Sequence, residues 1–135
     1  NLFTSFGYFE TIEDNIKVLQ QCNKHLKKDG LLIIDFFNAY KVKSTLIEEE
    51  IKTIDKVCFN IKREIINNFV IKTINLEDKN QQFSFEEKVQ LLSLEDFKTL
   101  FFKSNFKLIR IFGGYDLESF EPENSNRLIL IAKKI

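Results

Sequence analysis

The sequence holds no Met, no Trp, one Pro, one His, two Cys and four Gly in 135 residues. Each shortage excludes something. Cys22 and Cys58 lie far apart and His25 stands alone, so a zinc site of Cys and His ligands is excluded. Two cysteines without a framework spacing fit a reducing cytoplasm, not a disulfide scaffold. Twenty basic and twenty acidic side chains leave no net charge. That balance argues against a nucleic-acid binder working by bulk positive charge. No apolar run nears the roughly 20 residues a membrane span needs. Position 1 is Asn, and no apolar signal-peptide core follows it. Asn1 therefore reads as a residue inside a longer chain.

What is present points to a folded core. Hydrophobic residues make up 44% and Phe alone accounts for 15 positions, which argues against disorder. The length suits one domain, or one piece of a domain.

The first third predicts a helix and then a strand. Thr11-Ile12-Glu13-Asp14 resembles a capping box, and Ile12, Ile16, Leu19, Asn23 and Leu26 follow at helical spacing. Lys27 and Lys28 suit the helix end, and Gly30 is the expected left-handed stop. Leu31 to Phe37 is apolar except for Asp35, as expected of a strand buried on both faces inside a parallel sheet. A second helix is predicted from Ala39 to Ile54, striped by Leu46, Ile47, Ile51 and Ile54. It would carry Glu48-Glu49-Glu50 on a solvated face.

The middle alternates with period two. Val57 to Ile65, Phe69 to Leu76 and Phe83 to Leu91 predict an antiparallel meander of three strands with one apolar face. Asn67-Asn68 and Glu77 to Asn80 are its turns. The last third returns to helix and strand. Ser93-Leu94-Glu95-Asp96 is a second capping box, and Asn105 a left-handed stop. Phe106 to Phe112 and Leu128 to Ala132 are strands, separated by a tight turn at Gly113-Gly114.

This order of elements resembles the C-terminal half of a class I S-adenosylmethionine-dependent methyltransferase. Three segments carry the likeness. Leu2-Phe3-Thr4-Ser5-Phe6-Gly7-Tyr8-Phe9 is similar to the end of that family's fourth strand and its following loop. His25-Leu26-Lys27-Lys28-Asp29-Gly30 into Leu31-Leu32-Ile33-Ile34-Asp35 is similar to the helix, turn and fifth strand. Phe112-Gly113-Gly114-Tyr115-Asp116, then Ser125 to Lys134, is similar to the closing hairpin. The resemblance implies an α/β fold: a partial Rossmann-like methyltransferase sheet with an antiparallel three-stranded insertion at residues 55–92. The final strand would lie antiparallel beside the fifth, and the insertion would cover a substrate pocket. Residues 1–135 would form the C-terminal part of one methyltransferase domain.

The resemblance also implies S-adenosyl-L-methionine as cofactor and a small-molecule methyl acceptor, with no nucleic-acid or membrane partner. The family's Gly-rich cofactor turn and its acidic ribose ligand have no counterpart here. They are expected upstream of Asn1, so this chain alone should bind the cofactor poorly. Exposed sheet faces and edges would then favour self-association.

Candidate site residues follow from that placement, because open α/β sheets bind ligands at the carboxyl ends of their strands. Leu2, Phe3 and Thr4 would contact the cofactor. Ser5, Phe6 and Tyr8 would line the acceptor pocket together with Phe9, where aromatic faces suit a sulfonium cation. For Phe3 and Phe9 a plain core role is equally open. Asn38 would bind the acceptor or cap a helix, while Asp35 reads as structural. Tyr115 would reach the pocket from its loop, and Arg127 would tie that loop down. Arg63 and Glu87 each interrupt an apolar alternation, so both are expected on the meander's covered face. Either they form an ion pair, or Arg63 grips an anionic acceptor group. Against the enzyme stands a non-catalytic α+β module binding a ligand or partner on its Phe-rich sheet. No catalytic dyad is evident, which suits methyl transfer, a reaction driven mainly by alignment.

Overall fold

The structure, a computed structural model, describes residues 1–135. Its elements in chain order are α1 (Ile12–His25), β1 (Leu31–Phe37), α2 (Ala39–Thr45), β2 (Glu49–Ile54), β3 (Val57–Ile66), β4 (Phe69–Asp78), β5 (Gln81–Gln90), α3 (Leu94–Lys103), β6 (Phe106–Phe112) and β7 (Arg127–Lys134). They form two units: Asn1–Ser44 with Leu92–Ile135, and Thr45–Leu91.

The first unit is a three-stranded sheet, order β1-β7-β6, with α3 against β6 and α1 against α3. β7 runs antiparallel to both neighbours, so the final strand does lie beside β1 as expected. Ile34 and Phe36 point to the helix-covered face, where Phe36 meets Phe97 edge-on at 5.2 Å. Phe97 also touches Phe6 and Phe101, and Phe101 touches Phe106. These rings, with Leu19, Leu100, Leu128 and Leu130, form the core. The opposite face of β1 is open: Leu31 and Ile33 are 53% and 43% exposed. Within these residues β1 is therefore buried on one face, not on both as expected. β1 pairs antiparallel with β7, and the helices cover only one side.

Local punctuation explains the helix ends. Thr11 Oγ1 accepts the Asp14 N–H at the start of α1. Ser93 and Asp96 form a reciprocal capping box at α3. Lys134 Nζ donates to the carbonyls of Asn23 and Leu26, satisfying the end of α1. Asn105 adopts the expected left-handed φ of 56°. Gly30 does not; α1 ends at Leu26 in an extended conformation (φ −73°, ψ 144°), and the left-handed residue is Asp29, φ 63°, in the turn that follows. Gly30 is needed for space instead, since a Cβ there would sit 2.8 Å from the Lys27 carbonyl oxygen.

The second unit is a four-stranded antiparallel meander, β2-β3-β4-β5. The predicted helix to Ile54 stops at Thr45, and Glu49–Ile54 pairs with β3 instead. Three strands thus become four. The reason is local: Ile51, Thr53 and Ile54 are β-branched, and Asp55-Lys56 makes a tight turn with φ 49° and 70°. Asn67-Asn68 and Lys79-Asn80 close the other two hairpins with the same pair of positive φ values. Directly opposed residues share a face. Phe59, Ile61, Ile65, Val70, Ile74, Leu76, Phe83, Phe85 and Val89 therefore lie together on one apolar face.

Candidate functional site

The site is built at the carboxyl end of β1. The Asn1 amino group donates to the Ile33 carbonyl, and the Asp35 N–H donates back to the Asn1 carbonyl, each at 2.9 Å. That pair of bonds is the signature of a parallel bridge. The chain then leaves the ladder. Phe3 and Thr4 adopt left-handed φ values of 57° and 59°. For non-glycine residues this costs about 1–2 kcal/mol each, so something must hold the turn.

Asp35 holds it. Its carboxylate is 1% exposed, at the point where β1 ends. Oδ2 accepts the Phe3 N–H and the Tyr115 hydroxyl, both at 2.9 Å. The Asp35 backbone carbonyl accepts the Thr4 N–H at 3.0 Å. Oδ1 accepts Arg127 Nε at 2.8 Å and lies 2.7 Å from Arg127 Nη2. Arg127 Nη2 also donates to Thr4 Oγ1 at 3.0 Å. A carboxylate buried without such partners would be strongly disfavoured. The hydrogen bond to Asp35, helped by burial, raises the Tyr115 phenol above its ordinary pKa of 10.0; the nearby Arg127 charge works against the rise.

The predicted site residues divide between this cluster and other places. Phe3, Thr4 and Tyr115 are brought together through Asp35. Leu2 is exposed, and its carbonyl accepts the Ser5 hydroxyl at 2.8 Å. Phe3 is 76% exposed and Phe9 49%, so neither is core. Tyr8 and Tyr115 are also more than half exposed. Phe6 is the exception: it is 4% exposed and packs on Phe97 at 5.7 Å. Its assignment to a pocket wall is corrected to the core.

Asn38 is buried and serves as a cap. Its Oδ1 accepts the Tyr40 N–H, and both hydrogens of Nδ2 go to the carbonyls of Pro122 and Ser125. Beside it lies a mostly apolar cleft of about 260 Å³, lined by Asn38, Tyr40, Leu94, Phe120, Pro122 and Leu128 among others. Gly113, two residues before Tyr115, is required by crowding, since a Cβ there would collide with the Ser125 side chain.

Arg63 belongs to the second unit. Arg63, Lys72 and Glu87 stand in one cross-strand row, so Arg63 and Glu87 do share a face. They do not pair, because Lys72 lies between them and bonds Glu87 at 3.1 Å. Arg63 instead pairs with Glu50 at 2.7 Å. The hydrogen bond from Arg63 holds the Glu50 carboxyl below its ordinary pKa of 4.5. Glu50 is thus a strand residue in an ion pair, not part of a solvated helix face.

The sequence reading named Asp35 and Arg127 but left both outside the site. Their signal is a charge inside the apolar run Leu31 to Phe37 and a charge at the head of the apolar run Leu128 to Ala132. Nothing in sequence spacing told that the two charges meet across 92 positions.

These residues do not amount to a cradle for S-adenosylmethionine. Gly7 and Gly30 follow no strand, the Gly113-Gly114 turn after β6 is filled by the Ser125 and Glu118 side chains with its Gly113 N–H given to the Glu118 carbonyl, and the Phe3 and Thr4 N–H groups are already taken by Asp35. At most a part of such a site is present.

Known proteins resemble the chain in fold and not in sequence. No protein-family model matches it, and no curated protein does. An S-adenosylmethionine-dependent methyltransferase from Clostridium acetobutylicum superposes with a TM-score of 0.86 at 19% identity, over 98% of this chain and 56% of that one. An amino pentose methyltransferase from Micromonospora echinaspora, solved with S-adenosylmethionine bound, gives 0.66 at 12% identity over 98% and 56%. A sugar N-methyltransferase from Streptoalloteichus gives 0.69 at 13% identity over 98% and 53%. The chain therefore spans little more than half the length of the structures it matches. Its mixed α/β fold, with two antiparallel sheets, matches part of the fold of these methyltransferases.

Proposed function

We propose that this chain is the acceptor-side half of an S-adenosylmethionine-dependent methyltransferase acting on a small molecule. The observation that carries the reading is the superposition of 98% of the chain on 56% of the Clostridium enzyme at a TM-score of 0.86. The exposed aromatic rings of Phe3 and Tyr115, both tied to Asp35 near the carboxyl end of β1, support it. Such faces suit a sulfonium donor or a cationic acceptor. Neutral overall charge favours a small acceptor over nucleic acid. The chain's own task in this reading is alignment and exclusion of water, not proton abstraction.

Two measurements test it. The coding DNA upstream of Asn1 is expected to encode a strand, a Gly-rich turn and then an acidic residue. Calorimetric titration is expected to find cofactor binding by the complete protein and little by residues 1–135 alone. A start codon directly before Asn1, or a complete protein blind to the cofactor, would overturn the reading. A second reading then stands: a non-catalytic module binding an apolar ligand or partner. It rests on the open apolar face of the second unit, where Phe85 is 54% exposed.

A further inference from the structure

We infer that Asp35 is a positioning residue that locks two walls of the binding site together through a single carboxylate. One wall is the left-handed turn at Phe3 and Thr4; the other is the Tyr115 ring on the loop after β6. This deepens the methyltransferase reading and rests on it for its effect on ligands.

The geometry is specific. A parallel ladder beside β1 would continue with the Phe3 N–H donating to the Asp35 backbone carbonyl. Here the Phe3 N–H turns to the side-chain Oδ2, and the Thr4 N–H takes the backbone carbonyl. The carboxylate thus replaces a rung of the ladder and lets the chain turn out of the sheet. The same oxygen receives the Tyr115 hydroxyl from 80 positions away. Arg127 holds the other oxygen and reaches round to Thr4 Oγ1. The Phe3 and Tyr115 rings stay 76% and 62% exposed. So the cluster is buried at its charged centre and presents two aromatic rings outward. A purely structural ion pair would need neither the left-handed turn nor the exposed tyrosine.

An isosteric amide cannot replace the acid. Four donors converge on the carboxylate: the Phe3 N–H, the Tyr115 hydroxyl and two Arg127 nitrogens. In Asp35→Asn the amide nitrogen would face either Arg127 or the Phe3 N–H, a donor against a donor. Tyr115→Phe is gentler, because it removes one hydroxyl from an exposed ring.

The test uses the complete protein with both variants and the double variant, measuring cofactor affinity by calorimetry and acceptor KM and kcat by methyl transfer. Tyr115→Phe is expected to raise acceptor KM about fivefold, the scale of one hydrogen bond, with cofactor affinity unchanged and a small fall in melting temperature. Asp35→Asn is expected to weaken both ligands. The double variant should match Asp35→Asn alone, since both changes open the same clasp. An unchanged acceptor KM in Tyr115→Phe, or unchanged cofactor affinity in Asp35→Asn, overturns the inference.

A second readout separates its failure from failure of the function. The ultraviolet titration of Tyr115, taken as wild type minus Tyr115→Phe, should lie above that of free tyrosine and fall back in Asp35→Asn. An ordinary titration in both proteins means there is no clasp, whatever the enzyme does. A raised titration in a wild type that binds no cofactor means the clasp exists, while the methyltransferase reading and the positioning role both fail.

Discussion

Asp35, the one charge in β1, and Arg127, which opens the apolar run Leu128 to Ala132 of β7, carry opposite signs. Asp35 is 1% exposed in its side chain and Arg127 22%. The pair is a weak source of net stability, because burying the two ions offsets much of their attraction. Breaking it is another matter. Arg127→Leu would leave the Asp35 carboxylate with only the Phe3 and Tyr115 donors and is expected to cost about 3–5 kcal/mol. Urea unfolding measures this, and a loss below about 1 kcal/mol would mean that the pair behaves as a solvated surface bridge. The residue scale was partly legible in the sequence. An acid inside Leu31 to Phe37 and a base opening Leu128 to Ala132 announce two charges in need of partners. Their identity as mutual partners was not legible, nor was the use of Phe6 as core, because both depend on contacts between distant segments.

At the scale of elements, patterns of short range performed best. Both predicted caps, Thr11 and Ser93, are present, as are the Asn67-Asn68 turn and the Asn105 stop. Each depends on residues within a few positions of one another. The segment after Thr45 failed for an instructive reason. Leu46, Ile47, Ile51 and Ile54 fit a helical stripe, but the backbone bonds of β2 to β3 decide the matter. Asp55-Lys56 fixes that hairpin, and its two positive φ values suit Asn-Gly better than Asp-Lys. Lys56 at φ 70° is strained, whereas glycine there is not. Lys56→Gly is therefore expected to stabilise the second unit by about 0.5–1 kcal/mol. Its urea midpoint should rise; a fall would show that Lys56 makes contacts worth more than its backbone strain.

The molecule as a whole leaves apolar surface open in both units. Leu31 and Ile33 emerge on the uncovered face of the first sheet, and Ile54, Phe83 and Phe85 on the apolar face of the second. The charges on that second face are largely neutralised in place, Arg63 by Glu50 and Lys72 by Glu87, so covering it would bury few unpaired ions. Open areas of this kind mark contact surfaces. Residues 1–135 should therefore bind a hydrophobic dye strongly, and Phe83→Ser with Phe85→Ser should remove much of the signal. A dye-silent chain would contradict this account of the surface.

Local sequence accounts for the caps, the turns, the two-residue alternation of β3 to β5 and the run of apolar strands. These follow from backbone preferences and hydrophobic period, which act over a few residues. It also carried, in the order of its elements, the likeness to half of a methyltransferase. Only the tertiary structure decided which face of β1 is covered, where β2 begins and what the charged pair Asp35 and Arg127 holds. Those outcomes depend on strand pairing and on side chains meeting across tens of positions, where the energy of burial and of satisfied polar groups outweighs local preference.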